Sequence, residues 1–334
     1  MKNVCVVGLG SIGRRHSKLL ATQGLGKLIG VDLREDRREQ AQNEIKFDLV
    51  TDDFGEVIEN YDVDTVFITL PTAFHTNIAK EAAKNGCNLF IEKPLAASID
   101  GLEEVRAVIK KKKLKSYVAY CYRFAPSVQR LKAIVESGSL GKIYSARLHI
   151  STYLPDWHPW EDYREFYMAK IEQGGGARLD ESHGIDLLRW LFGEVESVFA
   201  FVETVSDLEI SSDDLTIMNL KFKNGLFAEA HFDLLGRSPR IGLELIGSDG
   251  TLLWDRISGK IETYSVKSAQ WEFEEFGSND FVKSYDNQMA HLIEAFSGKR
   301  EPLCDFDDGL RTMHVLEAAL KSSETGRLVK VQEL

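Results

Sequence analysis

Along the first 120 residues, short uninterrupted apolar runs alternate with longer stretches whose apolar residues recur every three or four positions. The runs Val4–Gly8, Lys27–Asp32, Thr65–Leu70, Asn88–Glu92 and Ser116–Tyr120 are rich in Val, Ile and Phe, and each predicts a strand. Ile12–Gln23, Asp36–Gln42, Thr76–Asn85 and Leu102–Lys112 predict helices between them. Strands that show no polar face are covered on both sides, so the alternation predicts a parallel sheet between helical layers. Right-handed crossovers make that sheet doubly wound.

The pattern then changes. A helix at Ser127–Ser137 leads to a strand at Ile143–Ile150, an aromatic loop and a helix at Ser182–Leu191. Period-two alternation follows in Ser197–Val202, Leu215–Phe222, Leu226–Leu234, Ile241–Ile246, Thr251–Trp254 and Lys260–Ser265. Lys223-Asn224-Gly225 and Ser248-Asp249-Gly250 read as hairpin turns in which glycine takes positive φ. Helices at Ser284–Ser297 and Asp308–Thr325 close the chain. Alternating strands with one apolar face predict an open, mainly antiparallel sheet backed by helices, an α+β unit. The pattern divides the chain into a first domain, 1–122, and a second, 123–334, in line with the roughly 150 residues of an average domain.

Composition narrows the function classes. Lys and Arg number 41 against 52 Asp and Glu, a formal charge of −11. Gripping phosphate backbones needs clustered positive charge, so a nucleic-acid partner is not expected. The one basic run, Lys110–Lys113, reads as a solvated helix end. Cys5, Cys87, Cys121 and Cys304 are far apart and form no C-x-x-C pair, which argues against zinc ribbons, dithiol redox sites and disulfide frameworks. No apolar run approaches the roughly 18–20 residues of a membrane span. Met1-Lys2-Asn3 leads straight into a strand, so a cytoplasmic location is expected.

Gly8-Leu9-Gly10-Ser11-Ile12-Gly13 follows the first strand and opens the first helix, the context a dinucleotide fingerprint requires. The first glycine makes the turn, the second lets backbone approach a pyrophosphate, and the third lets helix pack on strand. The helix N-terminus, at Ser11 and Ile12, offers N–H groups to the phosphates. Asp32, 19 residues after Gly13, stands where a carboxylate accepts from a ribose 2′-hydroxyl. Its charge would repel a 2′-phosphate, so NAD is expected ahead of NADP, with Arg34, Arg37 and Arg38 as residues that could offset it. The first domain is thus expected to be of the Rossmann type.

Other polar residues cluster at strand ends, where ligands of open α/β sheets lie. Thr69-Leu70-Pro71, with His75 beyond, follows one strand; Glu92-Lys93-Pro94 follows the next. In the second half Gly174-Gly175-Gly176 precedes Asp180-Glu181-Ser182-His183-Gly184-Ile185-Asp186. The triplet permits a close backbone approach, Asp180 is a plausible helix N-cap, and His183 has the side chain suited to proton transfer near neutrality. Taken alone, His183 is better explained as a satisfied histidine of a capped helix than as a catalytic one.

Together these segments resemble the glucose–fructose oxidoreductase / inositol dehydrogenase / rhizopine-catabolism (Gfo/Idh/MocA) family over nearly the whole chain. The likeness rests on Gly8–Gly13, Thr69–His75, Glu92-Lys93-Pro94-Leu95, Tyr122-Arg123-Phe124-Ala125-Pro126, Gly174–Trp190 and the closing helices around Glu317 and Gly326. It implies hydride transfer between a nicotinamide and a carbon bearing a hydroxyl or carbonyl, usually on a sugar, a cyclitol or a related compound. On it, Lys93 would touch nicotinamide ribose and reacting oxygen, His183 would take or give the hydroxyl proton, and Asp180 would orient substrate or histidine. Two residues separate Asp180 from His183 where inositol dehydrogenase-like members usually have three, which puts the Asp180 assignment in doubt. Lys93 and His183 could share the proton role. Arg123 is expected beside cofactor and substrate.

The segment Tyr153–Arg164 holds two Trp, two Tyr and two Pro and cannot form a regular element. Trp157, His158, Tyr163 and Arg164 are its candidate substrate contacts, with Arg123, Arg164 and Arg178 as candidate anion binders. A packed loop is the plain alternative. The segment resembles a family branch associated with surface-sugar biosynthesis, which points to an acidic or nucleotide-linked sugar. An NADPH-dependent ketoreductase of a nucleotide-linked keto-sugar is the alternative enzyme, and a non-catalytic cofactor-binding sensor the alternative class. No metal is expected, for no H-x-x-x-H pair occurs. The open sheet needs cover, and the resemblance implies a homodimer or homotetramer built through it.

Overall fold

The computed structural model describes residues 2–24, 26–157, 159, 161–277 and 279–332. Contacts group Met1–Tyr120 with Asp286–Leu310, and Cys121–Tyr285 with Arg311–Leu334. The sequence pattern predicts a single boundary; the chain instead passes between the units three times, because a late segment is bonded into the first unit. Val118 N–H donates to Cys304 O (2.9 Å) and Phe306 N–H to Ser116 Oγ (3.1 Å), while Lys115 Nζ donates to the carbonyls of Ala295 (3.1 Å) and Phe296 (2.6 Å).

The first unit is built on β1 (Val4–Val7), β2 (Leu28–Val31), β3 (Leu49–Thr51), β4 (Thr65–Ile68), β5 (Asn88–Ile91) and β6 (Ser116–Val118), with helices α1 (Ser11–Ala21), α2 (Glu35–Glu44), α3 (Phe54–Asn60), α4 (His75–Lys84) and α5 (Leu102–Lys112). The six strands are parallel in the order β3-β2-β1-β4-β5-β6. The order reverses between β1 and β4, and ligands of such sheets lie outside the strand ends at that crevice. All residues of β1, β2 and β4 are buried, as their unbroken apolar runs predict. A column of rings crosses the sheet: Phe67 stacks on Phe90 at 4.4 Å and Phe90 on Tyr117 at 5.8 Å. β3 and α3 are additions to the predicted set. Leu49–Thr51 is short and half-exposed, so it carries no apolar run.

The second unit contains α6 (Pro126–Ser137), β7 (Ile143–Tyr153), α7 (Ala177–Asp180), α8 (Ser182–Phe192), β8 (Val195–Glu203), β9 (Leu215–Phe222), β10 (Phe227–Asp233), β11 (Leu235–Gly247), β12 (Gly250–Asp255), β13 (Lys260–Ser265), β14 (Gln270–Glu275) and β15 (Val329–Lys330); α9 (Asp280–Phe296) and α10 (Phe306–Thr325) contribute to both units. Among the described residues its strands form one sheet, β14-β13-β12-β11-β7-β10-β9-β8-β15, antiparallel except for β7 beside β10. α8 lies on the inner face: a Cβ on Gly184 would stand 2.5 Å from Phe232 Cζ and 2.8 Å from Leu148 Cδ2, so only glycine allows this approach. On the other face Phe227 and Phe201 remain more than half exposed.

Two local expectations change. Gly225 has φ +88°, as the first hairpin turn requires, but Gly250 does not adopt positive φ. A Cβ on Gly250 would lie 2.4 Å from Tyr264 O, so glycine is needed there for strand proximity. Asp180 is not the cap of α8: it ends α7, and Glu181 occupies the N-cap position. The chain turns twice in succession there, and Asp213 serves α7 by accepting from Arg178 N–H (2.8 Å).

Candidate active site

In the first unit, each glycine of the fingerprint has a different steric reason. Gly8 has φ +99°, and a Cβ on it would stand 2.7 Å from Thr69 O. A Cβ on Gly13 would lie 1.9 Å from Gly8 O. At Gly10 the nearest atom would be Arg37 Nη1 at 3.8 Å, so protein packing does not demand glycine there. Gly10 is the N-cap of α1 and has no side chain to cap the N–H groups of Ser11, Ile12 and Gly13. Such uncapped first-turn groups suit an anion. These features fit a dinucleotide pyrophosphate.

Asp32 is buried beneath this loop. Its Oδ2 accepts from Leu9 N–H (2.7 Å) and its Oδ1 from Arg34 N–H (2.9 Å), which ties the fingerprint to the end of β2. Arg34 is engaged with Asp36 (3.0 and 2.5 Å), and Arg38 donates to the carbonyls of Asp32 (2.8 Å) and Leu33 (3.0 Å). Arg37 Nη1 lies 3.8 Å from Asp32 Oδ2.

The ends of β4 and β5 are braced against this cradle. Thr69 Oγ1 donates toward Val7 O (3.0 Å) and Gly8 O (2.7 Å), locking the first turn. Leu70 and Pro71 follow, partly exposed. His75 is buried, with Nδ1 3.0 Å from Pro94 O and Nε2 2.8 Å from Leu70 O, so it clamps the two strand-end loops together. Burial pushes its pKa below the ordinary value, against the pull of the carbonyls of Leu70 and Pro94. Glu92 Oε1 lies 2.7 Å from His16 Nε2 on α1, and Oε2 accepts from Lys93 N–H (3.0 Å). Lys93 is partly exposed, and its bond to Pro94 is cis.

In the second unit, His183 occupies the first turn of α8 and stacks on Tyr122, ring centroids 4.1 Å apart and planes within 8°. Arg123 forms a fork-to-fork pair with Asp186 (2.9 and 2.6 Å), with the two side chains 2% and 0% exposed. Asp186 is on α8 three residues beyond His183, so this pair fixes the 121–124 turn against the helix that carries the histidine. Arg256 donates to Tyr122 Oη (2.9 Å), holding the stack from its other edge. Asp180 is buried and its Oδ1 accepts from Tyr167 Oη (2.5 Å). The last two glycines of the triplet serve packing: a Cβ on Gly175 would meet Tyr167 O at 2.3 Å, and one on Gly176 would meet Asp213 Oδ1 at 2.1 Å. Arg178 is buried, and burial lowers its pKa; Nη1 reaches Leu316 O at 3.3 Å. The same burial raises the pKa of Asp213.

The aromatic segment forms short 3-10 turns at Leu154–Asp156 and Tyr163–Glu165. Trp157 is partly exposed, and Tyr163 Oη accepts from Glu209 N–H (3.3 Å). Arg164 is exposed and held by Asp162 and by Glu209 (2.7 Å). His158 and Trp160 lie outside the described residues. All four cysteines are buried, and burial raises the Cys5 and Cys87 thiols, the latter to about 11.

Three residues central to this geometry escape sequence reasoning: His16, Tyr167 and Asp213. His16 offered a signal, being a polar residue within the first predicted helix; Tyr122 and Asp186 stand in motifs legible in the sequence, but their pairings with His183 and Arg123 do not follow from it.

Residues 2–120 match the profile described as "Oxidoreductase family, NAD-binding Rossmann fold", and residues 132–331 that described as "Oxidoreductase family, C-terminal alpha/beta domain". The chain is 28% identical over 342 residues to myo-inositol 2-dehydrogenase of Thermotoga maritima, covering 98% of each. Among solved structures, a levoglucosan dehydrogenase in complex with NADH and levoglucosan superposes with a TM-score of 0.88 at 21% identity, covering 99% of this chain and 100% of the other. The WlbA dehydrogenase of Bordetella pertussis, in complex with NADH and UDP-GlcNAcA, gives 0.85 at 21% identity, covering 100% and 98%.

Proposed function

The chain belongs to the Gfo/Idh/MocA oxidoreductase family, and from that premise we propose that it moves a hydride between NAD and a hydroxyl- or carbonyl-bearing carbon of a sugar, a cyclitol or a derivative of one. The observation that carries this reading is the cradle at Gly8–Gly13, open at Gly10 and braced by Thr69 at the end of β4. Bound there, NAD supplies the hydride chemistry. The protein seats the cofactor, orients the carbon and moves one proton.

Lys93 takes the reacting oxygen and the nicotinamide ribose as its partners. Its backbone is held by the Glu92 carboxylate, itself fixed by His16. His183 takes or gives the hydroxyl proton, its ring plane set by the stack on Tyr122. Asp180 orients substrate or histidine, with Tyr167 holding its carboxylate. Arg123, paired through two donors with Asp186, acts by positioning the Tyr122 turn. The Asp32 carboxylate supports NAD, since Arg34 and Arg38 are engaged locally and leave its charge in place. Arg37, beside Asp32, is the observation that favours the NADPH-dependent reading. Levoglucosan dehydrogenase and inositol dehydrogenase as relatives support a free polyol or anhydrosugar; WlbA supports a nucleotide-linked one. A cytoplasmic homodimer or homotetramer built through the open sheet face completes the proposal.

The deciding experiment follows nicotinamide absorbance with free sugars, cyclitols, acidic sugars and nucleotide sugars, NAD and NADP in parallel. Turnover with NAD and one compound class is expected. Faster turnover with NADP overturns the Asp32 reading. Tight NADH binding without turnover on any class overturns the enzymatic one in favour of a sensor.

A further inference from the structure

We propose that the open face of the second unit's sheet holds one borderline divalent cation of the Zn2+, Co2+, Ni2+ class, ligated by His149, His231 and Asp233. β7 and β10 run side by side with His149 opposite His231 and Ser151 opposite Asp233. Side chains two residues apart on a strand share a face, so pairing gathers two imidazoles and a carboxylate. The rings lie parallel, 4.7 Å apart with planes within 3°. His231 Nε2 is 2.8 Å from Asp233 Oδ2, and a donor atom of each residue lies within 4.8 Å of the other two. Ligands at about 2.0–2.2 Å from a tetrahedral metal stand roughly 3.3–3.6 Å apart, a spacing that small turns of the two rings provide.

The carboxylate is built for one remaining partner. Asp233 Oδ1 accepts from Ser151 Oγ (2.8 Å) and Leu235 N–H (2.9 Å), which aims Oδ2 at His231. Hydrogen bonds of this kind orient ligating carboxylates in metal sites. Asp233 is buried and its carboxylate is held by these two bonds, whereas both histidines are partly exposed in the single chain. Gly242 stands opposite His149 on β11 and leaves that ring uncovered. Glu229, Glu244 and Asp255 line the same depression against Arg147 and Arg240, and Arg147 is already paired with Glu229 (2.9 Å) and Glu244 (3.0 Å). Two imidazoles and one carboxylate suit a borderline cation, with water at the fourth position.

The test uses the untagged full chain, stripped with EDTA and dialysed, titrated calorimetrically with Zn2+ and followed by visible absorption with Co2+. One equivalent per chain at micromolar Zn2+ and tetrahedral Co2+ bands are expected. His149→Ala and His231→Ala should each weaken Zn2+ binding at least about tenfold, the loss of one strong ligand. Circular dichroism and NADH binding, unchanged in both, separate site loss from misfolding and keep this outcome independent of the proposed reaction. No bound equivalent in the parent chain, or the same stoichiometry and affinity in both variants, overturns the site.

Discussion

Replacing Gly10 by alanine separates what the cofactor needs from what the fold needs. Gly10 has φ −65°, open to any residue, and a new methyl meets nothing nearer than Arg37 Nη1 at 3.8 Å. Reduced freedom of the unfolded chain makes such a change neutral or stabilising, by up to about 1 kcal/mol. The same methyl covers the surface where a pyrophosphate meets backbone, pushing the phosphate outward by roughly one bond length, about 1.5 Å. A hydrogen bond of about 2.9 Å is lost at that displacement. Hydrogen bonds to charged groups contribute about 1.5–3 kcal/mol, so NADH affinity should fall roughly 10- to 150-fold. Gly13→Ala is the contrast, because its Cβ would lie 1.9 Å from Gly8 O and 2.9 Å from Thr69 Oγ1. That overpacking costs about 1–3 kcal/mol or more, or roughly 2–12 °C of melting temperature. NADH fluorescence titration and thermal melts read both quantities. Parent-like NADH affinity in Gly10→Ala would refute the placement of the pyrophosphate.

Lys93→Met should keep NADH binding and lose most turnover; near-parental kcat would end the assigned role. Asp186→Asn leaves Arg123 buried against a neutral partner and should lower urea stability by about 3–5 kcal/mol, with much of it recovered in Arg123→Met/Asp186→Leu; a double variant no more stable than the single one would contradict this. His75 has a folded pKa below its unfolded value, so the unfolded chain binds the proton first. Stability should therefore hold above about pH 6.5 and decline as pH falls through it, by at most about 1.4 kcal/mol per pH unit for this residue. His75→Gln should flatten that decline in denaturation midpoints, and equal slopes in parent and variant would disprove it. Light scattering at micromolar concentration should report a dimer or tetramer, and a monomer peak would count against the sheet as an assembly face.

Much of the fold is legible because periodicity records burial. The unbroken apolar runs of β1, β2 and β4 correspond to strands covered on both faces, and the alternation in β9 and β10 to strands with one open face. β14 is missed because it lies at the sheet edge with most side chains in solvent, so no face is selected for apolarity. At the candidate site, motif spacing identifies the fingerprint and the segments around Lys93 and His183, since local backbone demands are written locally. Partnerships are not. Nothing near Glu92 announces His16, and nothing near His183 announces Tyr122; those pairs exist only once strands and helices have met. The same holds for His149 and His231, gathered by the parallel pairing of β7 with β10.

The late segment bonded into the first unit has a consequence for synthesis on the ribosome. When residue 120 leaves the exit tunnel, the edge of β6 still lacks the carbonyl of Cys304 and the backbone donor of Phe306. The nucleotide-binding half therefore cannot complete its bonding until Cys304 and Phe306 have emerged. A nascent chain stalled or cut after Tyr120 presents an unfinished edge to whatever surrounds it, and gene fusions that transplant this half alone would inherit that edge.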